Sequence, residues 1–200
     1  MSNLKRAIIV IMVGTILTGI ITTLSFGFKE GTGDYTEYNC DVKNIRLSTD
    51  IEVNINGEYV RRVKGNIFKI VTDPLTLYDN ESNKIGYASD EYAIVNQDAH
   101  YLRVNKNFYL MDGQFKVFGE KYFIYDEDEN YIGRCDFNWL NTRGMIKNAN
   151  DEVVATYKSH YIFKDFDIKI YENCEIEDDA ILMICASYYS DQHYRRSNQN

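Results

Sequence analysis

Positive charge is what this chain is short of. Its 200 residues carry 22 Lys+Arg against 30 Asp+Glu, a net charge of −8. A nucleic-acid binder normally presents a basic face, so no nucleic-acid partner is expected. Catalytic signatures are also missing: there is no G-x-S-x-G, no G-x-x-x-x-G-K-[ST] and no H-E-x-x-H. The three histidines, His100, His160 and His193, are far apart and have no ligand-spaced neighbours. Asp126-x-Asp128-x-Asn130 has the oxygen spacing that opens a calcium loop. Tyr131 and Phe137 stand where that loop needs Gly and Glu, so the segment reads as an acidic hairpin turn. No catalytic residue, metal ligand or cofactor is assigned, and no enzyme is expected. Cysteine occurs four times, at Cys40, Cys135, Cys174 and Cys185, without a C-x-x-C pair, so spacing fixes no connectivity. Cys40 with Cys174 is the pairing to consider in an oxidising compartment. Cys185 reads as a small buried hydrophobe.

What is present is apolar and aromatic. Hydrophobic residues make up 44% and aromatics 14%, with 17 tyrosines and a single proline. That is enough for one packed domain plus an appendage, and global disorder is not expected. The mean hydropathy of −0.41 hides an uneven distribution.

Ala7–Phe26 runs twenty residues without a charge, directly after Lys5 and Arg6. At about 1.5 Å per helical residue it covers about 30 Å, the hydrocarbon thickness of a bilayer. A cleaved signal peptide would have an apolar core of roughly 7–15 residues and a small-x-small site. Here the run is longer, and only Thr23-Leu24-Ser25 resembles such a site. The expectation is an uncleaved single-pass anchor at 1–28 and a short Gly-rich tether at 29–40. Lys5 and Arg6 favour a cytoplasmic N-terminus, which puts the domain outside. Lys5 and Arg6 are the only charges among the first 28 residues, so the remainder carries −10.

Alternation of period two dominates from about residue 40 to 172, as half-buried strands require. Ile51–Ile55 and Tyr59–Val63 flank Asn56-Gly57, a strong hairpin signal because both positions tolerate positive φ. Further strands are expected at Phe68–Val71, Leu75–Tyr78, Ile85–Ala88, Ala93–Val95, Tyr101–Val104, Phe108–Met111, Phe115–Phe118, Tyr122–Tyr125, Ile132–Phe137, Met145–Lys147, Val153–Tyr157, Tyr161–Phe163 and Phe166–Tyr171. A dozen or so short strands require a barrel or sandwich. A repeat supports this. Tyr78-Asp79-x-x-x-Asn83-x-Ile85-Gly86 recurs 47 residues on as Tyr125-Asp126-x-x-x-Asn130-x-Ile132-Gly133, and a looser copy spans Ile146 to Ala155. Each copy reads as strand, polar turn, strand. The Gly or Ala after the apolar residue lets neighbouring backbone approach.

Ala180–Tyr189 is apolar on every face and follows Asp178, the expected N-cap. Ten residues make only about 15 Å of helix, half a bilayer. Such a helix must be enclosed by protein, and a barrel of a dozen strands is wide enough to hold it. Arg195 and Arg196 then begin a short polar tail.

The repeated hairpins, the segment Lys147–Asp167 and the helix Asp178–Tyr189 resemble the tubby C-terminal-like superfamily, in its LURP-one-related bacterial branch. The resemblance covers about residues 45–195. It implies a mainly β fold: a closed antiparallel barrel of about twelve strands at 41–196 around a central hydrophobic helix at 178–190, preceded here by one transmembrane helix. That family includes phosphoinositide-binding tubby proteins and phospholipid scramblases. The function expected is a membrane-anchored barrel of binding or structural type. The alternative is a phospholipid-handling, scramblase-like protein at the membrane surface. Partners expected are the membrane through Ala7–Phe26, and a lipid or another membrane protein. The nearest thing to a basic lipid contact is Arg61, Arg62 and Lys64. Aromatics crowd Tyr122, Phe123, Tyr125, Tyr131, Phe137, Trp139, Tyr157, Tyr161, Phe163 and Phe166. Most are read as core, and an exposed subset is a candidate binding patch.

Overall fold

A computed structural model describes residues 27–44, 49–65, 75–92, 98–114, 119–138, 142–160 and 165–197. Twelve strands close into one antiparallel barrel: β1 (Tyr35–Asn44), β2 (Asp50–Ile55), β3 (Glu58–Gly65), β4 (Leu75–Asp79), β5 (Lys84–Tyr92), β6 (Asp98–Val104), β7 (Asn107–Gln114), β8 (Glu120–Tyr125), β9 (Tyr131–Phe137), β10 (Arg143–Asn148), β11 (Val153–Ser159) and β12 (Phe166–Tyr171). Each strand pairs with its sequence neighbours, and β1 closes the ring on β12, with Tyr35 opposite Tyr171 and Cys40 opposite Phe166. One helix, α1 (Asp178–Ser197), follows.

The three copies of the repeat fold into one kind of turn. In the first, Asp79 Oδ1 accepts from the amides of Glu81 and Asn83, and the Asp79 amide donates to the Asn83 carbonyl. Asp126 does the same with Asp128 and Asn130, and Asn148 with Asn150 and Glu152. Ser82, Glu129 and Asp151 take the left-handed position, with φ of 70°, 62° and 69°. This is an Asx-closed turn, in which the side chain substitutes for a backbone acceptor. The Asp126 carboxylate is therefore committed to amides within its own hairpin. The glycine after the turn is a close-approach site: a Cβ on Gly133 would lie 2.3 Å from the Lys147 carbonyl oxygen. Asn56-Gly57 turns β2 into β3 with φ of 53° and 83°, as its sequence predicts.

Inward residues of every strand meet α1 in one core. Ile51, Val63, Leu77, Leu102, Met111, Ile124, Cys135, Ile146 and Ile168 are each buried to 1% exposure or less. Ala180 to Ser190 is buried throughout. Tyr188 stacks on Phe137 at 3.5 Å, and Tyr189 stacks on Phe166 at 5.2 Å. A fully buried Ile or Leu contributes roughly 1.5–3 kcal/mol, so the helix is a large part of what holds the strands in a ring. Of the clustered aromatics, Tyr122, Phe137, Tyr157 and Phe166 are core, whereas Phe123, Tyr125 and Tyr131 pack edge to face on the outer wall. Trp139, Tyr161 and Phe163 lie outside the described residues.

Four expectations need correction or placing. The tether ends at residue 34, because Tyr35–Cys40 is already β1, held by its ladder to β12. The helix runs on to Ser197 instead of stopping at 190, so Arg195 and Arg196 are helical. Glu177, not Asp178, stands at the cap position, since its carbonyl accepts from the amides of Ala180 and Ile181. The strands expected at Phe68–Val71, Ala93–Val95, Phe115–Phe118 and Tyr161–Phe163 lie outside the described residues, as does the anchor Ala7–Phe26. Among the described residues, no helix is long and apolar enough to cross a membrane.

Candidate anion-binding cleft

The three cations singled out in the sequence lie together on β3, yet alternate between its faces. Arg61 shares the inward parity of Val63 and sits at the barrel mouth. It grips Asp179 in the first turn of α1, Nε to Oδ1 at 2.8 Å and Nη2 to Oδ2 at 3.3 Å. That pairing holds its guanidinium above the ordinary arginine value, with partial burial working against it. Arg62, on the outer wall, forks onto Asp50 with two contacts of 2.8 Å. Lys64 lies 6.0 Å from the Tyr78 ring centroid. Both arginines are thus engaged by carboxylates of the same chain.

Around the mouth, the N-terminal end of α1 is fastened by further polar contacts. The Tyr38 hydroxyl donates to Asp178 at 2.5 Å, and burial together with that carboxylate pushes its pKa up. Glu177 accepts from Asn105 at 2.9 Å, from Asn107, and from Tyr109 at 3.4 Å. Burial, with Glu177 adding to it, pushes Tyr109 up to about 12. At the other end, Ser190 meets Thr49 at 2.8 Å, Asp191 lies 3.2 Å from His100, and Gln192 donates to Glu120 at 2.6 Å. These contacts fix the helix within the barrel. The cysteines are unbonded: Cys40, Cys135 and Cys185 are buried, and the Cys174 thiol donates to the Ile176 carbonyl at 3.3 Å. Burial raises all four thiol pKa values, Cys174 to about 11.

A cleft of about 200 Å³ opens on the outer wall over β10, β11, β12 and β1. Strand register builds it. One row runs Arg143, Lys158, Asp167, Asn39 across the four strands, and the next runs Met145, Thr156, Lys169, Glu37. The segment before β1 forms the lip. The amide of Lys29 donates to the Met145 sulfur at 3.1 Å, Glu30 pairs with Lys169 at 3.6 Å, and Gly31 lies against the ring of Tyr171. That cover explains why Met145, which points outward, is only 5% exposed.

The charges on the two sides of the cleft differ. Towards β12 and β1 they are answered. Asp167 accepts from Asn39 at 3.1 Å and pairs with His160. Partial burial works against the charge on Lys169, but Glu30, Tyr35 and Glu37 outweigh it and raise its pKa. Towards β10 two cations are neighbours. Arg143 and Lys158 are directly opposite each other and both exposed; Asp167 stands opposite Lys158 on its other side, and among the described residues neither cation forms a salt bridge. Like charges placed directly across a strand pair are destabilising. This side of the cleft can accept an anion, by charge-assisted hydrogen bonds from a guanidinium and an ammonium.

Arg143 and Lys158 are fifteen residues apart, and neither stood out in the sequence. The signal that finds them is the third repeat. Counting outward from the turn at Asn148–Glu152, with the slip of one residue seen at Ile146/Lys147, sets them opposite each other.

Fold and cleft together define a closed antiparallel barrel with a helix buried in it and an outer cleft lined by four cations and three carboxylates. Comparison with protein-family models, with curated proteins and with solved structures returns no match to this chain.

Proposed function

We propose that this chain is a membrane-anchored barrel of the tubby C-terminal-like kind, in the LURP-one-related branch, and that it works by binding rather than by catalysis. The observation that carries this reading is the apolar helix α1 buried inside a closed ring of twelve strands, the arrangement the resemblance implies. Ala7–Phe26 supplies the anchor, with the N-terminus cytoplasmic and the barrel outside. The cleft beside the anchor's point of arrival is the binding surface. Arg61 and Arg62 are structural in this reading, because their charge is spent on Asp179 and Asp50.

The phospholipid-handling alternative is favoured by one observation, the neighbouring cations Arg143 and Lys158 in the cleft that Phe28 and Lys29 also line. In its scramblase form it would need α1 in lipid, and the buried seat of α1 argues against that form. Membranes from cells making the full chain, washed in alkaline carbonate, test the anchor: the protein should stay in the pellet, and its release would sink the reading. Protease added to intact cells should degrade residues 30–200, and full protection would reverse the topology. Dye-lipid flipping in vesicles that hold the full chain should stay at the rate of empty vesicles.

A further inference from the structure

We propose that residues 28–34 form a strap latched to the barrel wall by Met145, and that oxidation of Met145 to its sulfoxide by hydrogen peroxide opens the latch. This device goes beyond the binding reading above and is independent of the anchor.

Three observations carry it. First, two side chains are buried without joining the core. Of the buried apolar residues described, only Met145 and Tyr171, 5% and 3% exposed, stand outside the core cluster. Both point outward by register, Met145 opposite Thr156 and Tyr171 opposite Tyr35. The strap covers them. The Lys29 amide donates to Met145 Sδ at 3.1 Å, and the Gly31 backbone lies on the Tyr171 ring, where a Cβ would come within 2.5 Å. Second, the cover is held weakly. A thioether is a poor acceptor, and the pair Glu30–Lys169, at 3.6 Å with Glu30 74% exposed, is worth little at a surface. The buried Tyr171 hydroxyl has no hydrogen-bond partner, a penalty that ends when the strap lifts and water enters. The firm point is the Glu172 amide on the Asp34 carbonyl at 3.1 Å, beside Gly33 at φ 97°, which makes this end the hinge. Third, the latch is oxidisable. The Met145 sulfur takes one oxygen from hydrogen peroxide and gives up two electrons. The O–O bond breaks, and the proton of the transferred oxygen passes to the other, which leaves as water. The sulfoxide is bulkier and strongly polar, and a seat closed by the Lys29 amide accommodates neither change until the strap lifts. Other targets are protected: Met111 and Met183 are fully buried, and burial pushes the Cys174 thiol up to about 11, which keeps it protonated and slow towards peroxide.

The test treats the full chain, in detergent micelles at neutral pH, with millimolar hydrogen peroxide. Peptide mass spectrometry should find one added oxygen on Met145 before any on Met111 or Met183. Amide hydrogen exchange over residues 29–33 should then run about tenfold faster, the effect of one lost hydrogen bond, while the β6–β7 ladder stays protected. Methionine sulfoxide reductase with a thiol should reverse both changes. M145L keeps the side-chain volume and leaves nothing to oxidise at this place, so its strap should exchange at one rate with and without peroxide. M145Q puts a polar head under the strap and should open it without peroxide. A strap that peroxide opens equally in M145L would assign the effect to another group and overturn the latch. So would sulfoxide on Met145 with strap exchange unchanged, or oxidation of Met111 and Met183 as early as that of Met145, which would mean that the whole barrel opens. If M145Q fails to fold, the parent and M145L decide the question between them.

Discussion

On β3, Arg61 and Arg62 are adjacent in sequence, and each reaches a carboxylate. Across β10 and β11, Arg143 and Lys158 are adjacent in space, and among the described residues neither does. The first pair looked like a ligand site in the sequence because its charges are contiguous. Contiguity on a strand means opposite faces, so one arginine went to the helix mouth and the other to a wall partner. The second pair is dispersed in sequence and concentrated by register. In an acidic protein the informative cations are those the fold has left without an acid. The tests below separate charge that holds the fold from charge held in reserve.

The comparison collapses first if α1 does not sit in the barrel, because Arg61 is structural only through Asp179 on that helix. Ile184 is fully buried among the inward residues. Replacing it with Asp places an unpaired carboxylate there, at a cost of several kcal/mol against a total stability of about 5–15 kcal/mol. The variant should be unfolded, or nearly so, by circular dichroism and urea titration. A variant as stable as the parent would take the helix out of the core and Arg61 out of its role.

Arg61→Ala comes next. It leaves Asp179, only 13% exposed at the side chain, facing a mouth without its counter-charge. The pair is partly solvated, which discounts the penalty for breaking a buried pair to about 1–2 kcal/mol. The urea midpoint should fall accordingly, and Asp179→Asn in the same background should recover part of the loss. An unchanged urea midpoint would mean that Arg61 does not hold the helix through Asp179.

The acidic turns mark a third use of charge, local and independent of both pairs. Asp79 and Asp126 are held below the ordinary aspartate value of 3.8, first by the side-chain amides of Asn83 and Asn130 and then by backbone amides. A lowered carboxylate contributes stability above its unfolded value and loses it as pH falls through the lowered one. Carboxyl-carbon NMR should show both titrating below 3.8, with the turns intact at pH 5 and loosening only in stronger acid. Asn83→Ala should move Asp79 back up and leave Asp126 where it is.

These turns also show what was legible beforehand. The repeat was readable because each copy is local: an Asx residue, four positions and a partner are enough to specify the turn. The enclosed helix was readable because the run Ala180–Ala186, apolar on every face and too short to cross a bilayer, is stable only when enclosed by protein. The opening strand was not. Tyr35–Asn44 alternates only from Tyr38 to Val42, and its partner β12 lies at the far end of the chain, so the closure that makes it a strand has no local signature. The cleft was hidden for the same reason, since its cations meet only through register and its lip comes from residues read as tether.

The smallest effect is the most discriminating. Arg143→Glu exchanges a like-charge neighbour of Lys158 for an opposite one, on an exposed part of the wall. A cross-strand pair of opposite charge contributes about 0.2–1 kcal/mol, so this substitution should stabilise the barrel slightly, by about 1–3 °C in Tm. A residue selected for the fold does not behave this way: removing its charge should cost stability, as expected for Arg61. A residue kept against the interest of the fold is one that answers to something outside it. Differential scanning calorimetry of Arg143→Glu, compared with Arg61→Glu under one buffer, therefore decides the matter without any ligand. A higher Tm for the first and a lower one for the second would fix the division between the pairs. A drop in both would mean that Arg143 also supports the barrel, and the repulsion read from its register would be wrong.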